Sequence, residues 1–448
     1  MKNWRPTRNL IAASVVCALA ASPVWAEQGA PAEEIEALKR MMQEVISQNK
    51  DLKRRIQLLE APKAKEQPAA KETASDPATK APEDPTQKAK AAEEPPKPVS
   101  ADFGWWNKIQ LGGAVEAEVR SVRNKDFKPK SRESVFELKT AEFDFEANIV
   151  DWAKGKLAAE WIGPSVAGSQ LKSTTADADK LNLNEAYIQI GTDTSLFSLK
   201  AGRRTVPFGL STGSTVAARL EDKLTVSDPL SLAVFDTKED LILVEMKLGG
   251  LNVATYVFQG DTHRGVERRL QHYGAHVGYG VKTDVLSLVV GFSMIDSVFD
   301  SDGLEDKYPE ALTAPYVPGI AANIRLGLFG FSLVTAYYGA LRQAHFTRND
   351  QPVNIRPEAW SVEAGYTTEI FGQKTYGAFA YSQTADLVGA FPEARSIGTL
   401  GTWFSNNIRL ALEYVYDQDY PKTAHAQGGP GGTGRTSETY LVRLTYEW

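Results

Sequence analysis

The last twelve residues of this 448-residue chain, Ser437 to Trp448, alternate strictly, with Tyr440, Val442, Leu444, Tyr446 and Trp448 on one face and Leu441, Arg443, Thr445 and Glu447 on the other. A strand of that pattern presents three aromatic and two aliphatic side chains on a single face and ends on an aromatic carboxyl terminus. Water penalises such a face and hydrocarbon accepts it. The only strand structure that satisfies its backbone within a bilayer is a closed ring. The pattern therefore predicts an all-β fold, a transmembrane antiparallel β-barrel, with Trp448 as the signal for barrel insertion.

The other end of the chain agrees with that address. Residues 1–26 combine Lys2, Arg5 and Arg8 with an apolar run from Leu10 to Ala21 and a small-residue cleavage site at Val24-Trp25-Ala26, the pattern of a secretory signal peptide. The single cysteine, Cys17, lies inside it, so the mature chain is expected to have no disulfide, no thiolate metal site and no cysteine nucleophile. No other run is apolar enough for a spanning helix, as expected if only alternate residues meet lipid.

Residues 27–60 read as a short periplasmic α-helical coiled coil. Ile35, Met42, Asn49 and Ile56 fall at a positions, and Leu38, Val45, Leu52 and Leu59 at d. Asn49 would fix the register, and a buried asparagine there favours dimers, whereas barrels with wide pores commonly form trimers. A homotrimer is the expected assembly. Residues 61–100 turn to Ala, Lys, Glu and Pro, too poor in apolar residues to fold, and read as a disordered linker. A flexible chain of that length spans on the order of 35 Å, enough to hold the coil away from the membrane and in reach of the cell wall.

Residues 101–448 form the barrel domain. Period-two segments begin near Lys108, Ser134, Gly155, Leu181, Phe197, Asp240, Leu251, Leu270, Val285, Gly319, Phe331, Glu358, Lys374, Arg395, Ile408 and Ser437, which makes about 16 strands. Short turns alternate with long polar loops, and both ends of the domain fall on the short-turn, periplasmic side. Ile109, Leu111, Val115 and Val119 should face lipid, as should Trp360, Val362, Ala364 and Tyr366. Trp152, Phe329, Phe371 and Trp403 near strand ends should sit in interfacial girdles. Outer-membrane lipid, lipopolysaccharide and the barrel assembly machinery are the expected partners. Nothing points to nucleic acid.

The opposite faces should line an aqueous lumen: Glu116, Glu118 and Arg120, then Glu142, Asp144 and Glu146, then Lys156 and Glu160, then Arg409, Glu413 and Arg443. Charges on such a wall tune ion selectivity. From residue 101 onward there are 34 Lys and Arg against 42 Asp and Glu, a balance that argues against a channel dedicated to phosphate. The third external loop, Thr205 to Glu239, is the longest, and its length is explained if it folds into the lumen and narrows it. Its candidate constriction residues are Arg203, Arg204, Arg219, Glu221, Asp222, Lys223, Asp228, Lys238 and Glu239, with Pro207 and Pro229 as stiffeners.

Within this loop Val206-Pro207-Phe208-Gly209, Ser227-Asp228-Pro229-Leu230-Ser231-Leu232 and Asp236-Thr237-Lys238-Glu239 resemble the LbtU-type siderophore porin family, which shares the layout of signal, coil, linker and barrel. Val234-Phe235-Asp236 stands where that family has Leu-Gly-Glu. The resemblance implies an outer-membrane porin through which small solutes diffuse, linked to uptake of ferric siderophore. Pro207-Phe208-Gly209 after Arg203-Arg204 is also similar to phosphate-selective porins of the O and P type, but Arg120, Lys200, Arg409 and Arg443 are few and mixed with acids. A third reading makes the barrel an anchor that tethers the membrane to the cell wall.

An enzyme is not expected. The five histidines are His263, His272, His276, His345 and His425. His272 and His276 share a strand face but lie about 13 Å apart, too far to chelate one metal. The glycine-rich tract from Gly428 to Gly434 opens no helix and reads as a loop, so no cofactor is implied.

Overall fold

The computed structural model describes residues 108–163, 181–210, 223–262, 270–313, 315–425 and 429–448. The signal, the coil with Asn49, the linker, His263, Arg219, Glu221 and Asp222 lie outside the described residues.

Eighteen strands follow one another along the described chain: β1 (Ile109–Arg123), β2 (Arg132–Val150), β3 (Ala153–Ile162), β4 (Leu181–Ile190), β5 (Phe197–Thr205), β6 (Lys238–Leu248), β7 (Leu251–Phe258), β8 (His272–Lys282), β9 (Leu286–Ile295), β10 (Gly319–Leu328), β11 (Phe331–Ala340), β12 (Ala344–Arg348), β13 (Gln351–Ile355), β14 (Glu358–Ile370), β15 (Gln373–Ala385), β16 (Ala394–Ser405), β17 (Ile408–Gln418) and β18 (Thr436–Glu447). Sixteen of them close an antiparallel barrel in which β1 pairs with both β2 and β18, while β12 and β13 form a separate hairpin in a loop. Each barrel strand begins within two residues of its expected start. The β12–β13 hairpin was not expected. Its alternation is that of a strand pair, but it pairs with no strand of the ring.

The outward faces are apolar along the ring, with Leu111, Phe136, Leu183, Phe292, Trp360 and Leu412 among the exposed side chains. That is the surface a bilayer requires. The turns at one end are short and take the backbone that two-residue hairpins demand, with positive φ at both central positions: Gly249-Gly250, Phe329-Gly330 and Phe371-Gly372. Phenylalanine is a poor choice for positive φ, where glycine or asparagine would relieve strain. Phe371 is nevertheless 100% exposed, and Phe329 is exposed as well, as anchors at a membrane interface would be. Trp152 is also exposed, but Trp403 faces inward and departs from the girdle expectation: its ring contacts Tyr376, an inward residue of β15, with centroids 5.1 Å apart.

Of four register shifts in the described ring, two turn extra side chains into the lumen. In β2 the register shifts from Glu116 opposite Thr140 to Ala117 opposite Leu138, leaving Lys139 as the extra residue. In β4 the partners pass from Glu185 to Leu183 and leave Asn184 over. A bulge sets two successive side chains on the same side, so Lys139 and Thr140, and Asn184 and Glu185, all turn inward and are all buried.

The ring closes at β1 and β18, where ten residue pairs run from Ala114 opposite Glu447 to Arg123 opposite Glu438. Trp448 extends the seam: Gly113 N–H donates to the Trp448 carbonyl at 3.3 Å and Trp448 N–H to the Gly113 carbonyl at 3.1 Å. The indole lies over Gly113, where a Cβ would stand 2.3 Å from Trp448 Cζ2 and 2.4 Å from the Glu142 carbonyl oxygen. Only glycine fits beneath the ring. Gly113→Val should therefore unseat Trp448, cost roughly 1–3 kcal/mol and reduce the folded, heat-modifiable band on gel electrophoresis; deletion of Trp448 should impair assembly further. A Gly113→Val protein that folds with the wild-type yield and melting temperature contradicts this account of the seam.

Candidate functional site

The third long loop, residues 206–237, is laid against the inner wall at both ends of its described part. On its first arm Gly209 N–H donates to Ser293 Oγ on β9 (3.0 Å), Leu210 N–H donates to Tyr338 Oη on β11 (2.7 Å), and Asn323 Nδ2 on β10 donates to the Gly209 carbonyl (2.9 Å). Gly209 has φ +75°, and a side chain there would strike the Tyr338 ring, so the close approach depends on glycine. Phe208 meets the same ring edge-on, with centroids 5.6 Å apart.

The second arm is held by carboxylates of the wall. Glu363 on β14 accepts from Leu224 N–H (2.7 Å), Thr225 N–H (3.2 Å) and Thr225 Oγ1 (2.6 Å). Glu413 on β17 accepts from Val226 N–H (2.6 Å), Ser227 N–H (2.8 Å) and Thr399 Oγ1 (2.6 Å). Arg395 on β16 grips Asp417 through two nitrogens (2.7 and 3.0 Å) and with its third donates to the Asp228 carbonyl (2.9 Å). Lys223 closes the arm on itself by donating to Asp228 and to the Val226 carbonyl. Buried carboxylates that accept several backbone N–H groups are among the strongest loop anchors a protein has.

A short helix, α1 (Leu230–Phe235), follows Pro229 with all six residues buried. It packs with a second helix, α2 (Asp302–Lys307), the β12–β13 hairpin and the loop around Leu387 and Phe391 into one hydrophobic cluster that includes inward residues of β6, β7, β10, β11 and β14. Phe235 stacks on Tyr338 with the rings 5.2 Å apart and 4° from parallel. One sector of the lumen is thus filled by a core like that of a soluble protein.

The remaining sector, on β1 to β5 and β15 to β18, is charged, and its charges are mostly paired. Arg443 donates to Glu118 at 2.6 Å and reaches Glu116 at 3.5 Å. Arg120 lies 3.8 Å from Glu137 and 3.9 Å from Glu133. Lys156 and Glu185 meet at 2.7 Å, as do Lys200 and Glu245; Lys154 meets Glu146 at 3.2 Å. Glu142 is buried and also engaged, and Asp144 is inward and half-buried. Of the pair at the entrance to the loop, Arg204 lies over the Tyr187 ring at 5.3 Å, whereas Arg203 alternates to the outer face and donates to the Leu183 carbonyl at 3.2 Å. Lys238 donates to Asn184 at the β4 bulge, and Glu239 is buried and engaged.

Sequence reasoning missed one further cluster. His272 is fully buried, with Nδ1 3.2 Å from carboxylate oxygens of both Asp296 and Asp300. Asp300 also accepts from Asp261 N–H, Thr262 N–H and Thr262 Oγ1, tying two loops together. Nothing in the local sequence flagged it, because its members come from separate segments. Among the described residues no group of three or more His, Cys, Asp or Glu side chains is placed to hold a metal ion.

No protein-family model matches this chain, and no curated protein sequence matches it. Solved structures do resemble it. The outer membrane channel DcaP of Acinetobacter baumannii is 12% identical, covering 76% of this chain and 97% of that one, with a TM-score of 0.51. An anion-selective porin from Comamonas acidovorans is 13% identical, covering 76% and 99%, with a TM-score of 0.49. OprB of Pseudomonas putida is 11% identical, covering 80% and 100%, with a TM-score of 0.47. At these identities the likeness is one of fold.

Because Glu413 holds two loop amides and a wall hydroxyl, Glu413→Ala should release the second arm of the loop. The expected loss is roughly 2–4 kcal/mol in urea unfolding, with faster hydrogen exchange confined to residues 223–229. Unchanged exchange there would show that the arm is held elsewhere.

Proposed function

We propose that this protein is an outer-membrane porin: a passive diffusion channel for small ionic solutes, narrowed by its third long loop. The observation that carries the reading is the division of the lumen. A filled barrel would have apolar or loop-covered inner faces all round, whereas here the inner faces of β1 to β5 and β18 keep rows of ion-paired side chains beside a loop docked on β9 to β11, β14, β16 and β17. Charged inner walls of this kind belong next to water. A ring of sixteen strands is wide enough to leave an aqueous path beside such a loop. Neither ATP nor proton coupling has a structural lever among the described residues, so flow follows the gradient.

The sequence resemblance extends this reading to ferric siderophore. Its motif residues Phe208, Gly209 and Leu230 are buried in the docking of the loop. They shape the constriction, and the solute meets the side chains of β1, β2, β17 and β18. The reading we favour is accordingly a channel chosen by size and charge, in the outer membrane, with the amino-terminal coil on the periplasmic side and a homotrimeric assembly.

Purified protein in a planar bilayer should give discrete conductance steps, smaller than those of an open sixteen-stranded pore. An absence of steps would instead favour the anchor reading. Block by micromolar ferric siderophore would restore that substrate, and a heat-stable monomer would remove the trimer.

A further inference from the structure

The inner wall beneath the loop contains a buried cation with no hydrogen-bond partner among the described residues, although the barrel as a whole is acidic. Neighbouring strands set one row of inward residues side by side: Arg409 on β17 lies opposite Thr445, Thr445 opposite Glu116, and Glu116 opposite Thr140, with the bulge residue Lys139 next to it. Arg409 is only 2% exposed, and its Nε, Nη1 and Nη2 are buried with no hydrogen-bond partner among the described residues. Its guanidinium rests 6.0 Å from the centroid of Tyr376, whose hydroxyl is buried and also without a hydrogen-bond partner among the described residues. Lys139 is also buried, but on the far side of Glu116, where Glu118 and Glu116 act on it.

The carboxylates that act on Arg409, Glu116 and Glu447, are engaged with other groups. Glu116 is taken by Arg443 (3.5 Å) and by the Thr445 hydroxyl (3.3 Å). Glu118 is held by Arg443, Glu137 faces Arg120, and Glu413 is spent on Val226, Ser227 and Thr399. Glu142 and Glu447 are engaged too. A guanidinium shut away from water without a counter-charge is unfavourable, and an anion supplied from solution relieves it.

We propose that Arg409, with the Tyr376 hydroxyl, forms a binding site for a small oxyanion, a carboxylate or a phosphate, on the short-turn side of the loop. The planar fork of Arg409 matches two oxygens of such a group, and Tyr376 offers a further donor. The aromatic pair Tyr376 and Trp403, with Lys374 Nζ 4.4 Å from the Trp403 ring, leads from the end of the barrel up to the site. The channel would then favour anions at this level in spite of its net acidity. This selectivity rests on the porin reading, whereas the binding site does not.

Two measurements separate these. Inorganic phosphate titrated into the detergent-solubilised full-length protein should raise its melting temperature most in wild type, less in Arg409→Lys, which keeps the charge and loses the fork, and least in Arg409→Gln, with Tyr376→Phe also less responsive than wild type. In a planar bilayer under a potassium chloride gradient, the chloride-to-potassium permeability ratio should fall roughly threefold in Arg409→Gln and stay nearer wild type in Arg409→Lys, which keeps the charge. Heat-modifiability on a gel identifies variants that have folded. Phosphate stabilisation that is equal in wild type and folded Arg409→Gln, together with an unchanged permeability ratio, overturns the site and leaves the porin reading intact. Stabilisation that depends on Arg409 in a protein that conducts nothing overturns the porin reading and leaves the site standing.

Discussion

Everything in this molecule depends on the pairing of its first barrel strand with its last. Within hydrocarbon an unpaired strand edge leaves a row of backbone groups with no partner, so an open sheet has no stable form there and the ring is closed or absent. Closure is achieved by β1 and β18, and Trp448 prolongs it beyond the last regular pair. Gly113 is the counterpart that makes this possible, since any side chain there would occupy the space of the indole. The same seam carries function. Arg443, Glu118 and Glu116 meet across it, so the bond pattern that completes the barrel also brings together the charges of its inner wall.

The docking of the loop explains how an acidic wall can present positive charge. Carboxylates are the groups best able to satisfy backbone N–H groups in a buried, irregular segment. Glu363 and Glu413 do this for the second arm of the loop, and Asp417 holds Arg395 in place to serve the Asp228 carbonyl. Each acid used in this way is removed from the balance that a passing ion meets. Formal net charge is therefore a poor guide to the field in this lumen, which is set by the few groups left over after the fold has taken its share.

The barrel was legible in the sequence because period two, turn residues and aromatic strand ends all report on the same thing, the two solvents on either side of a wall. Ile408, Leu410, Leu412 and Tyr414 announce a lipid face without reference to any other strand. Features that depend on register were not legible. The bulges at Lys139 and Asn184 break the alternation by one residue, and local sequence does not distinguish this from a slip in strand boundary. The inward turn of Trp403 was missed for a related reason: a tryptophan near a strand end suggests an interface, and only the alternation past Gly401 shows which face it takes. Loop length pointed to a segment with work inside the barrel, but its partners lie up to some two hundred positions along the chain, on strands whose order no local pattern encodes.

The hydrophobic cluster of α1, α2 and the β12–β13 hairpin has a consequence for the order of folding. A soluble domain gathers its apolar side chains first and regularises its strands around them. Here the apolar residues of the loops face an interior that does not exist until the ring has formed, and before then lipid and water offer them no common site. The wall must come first. The core is a guest of the completed barrel, so a defect in the cluster should leave an intact cylinder with disordered contents, while a defect in the seam leaves neither.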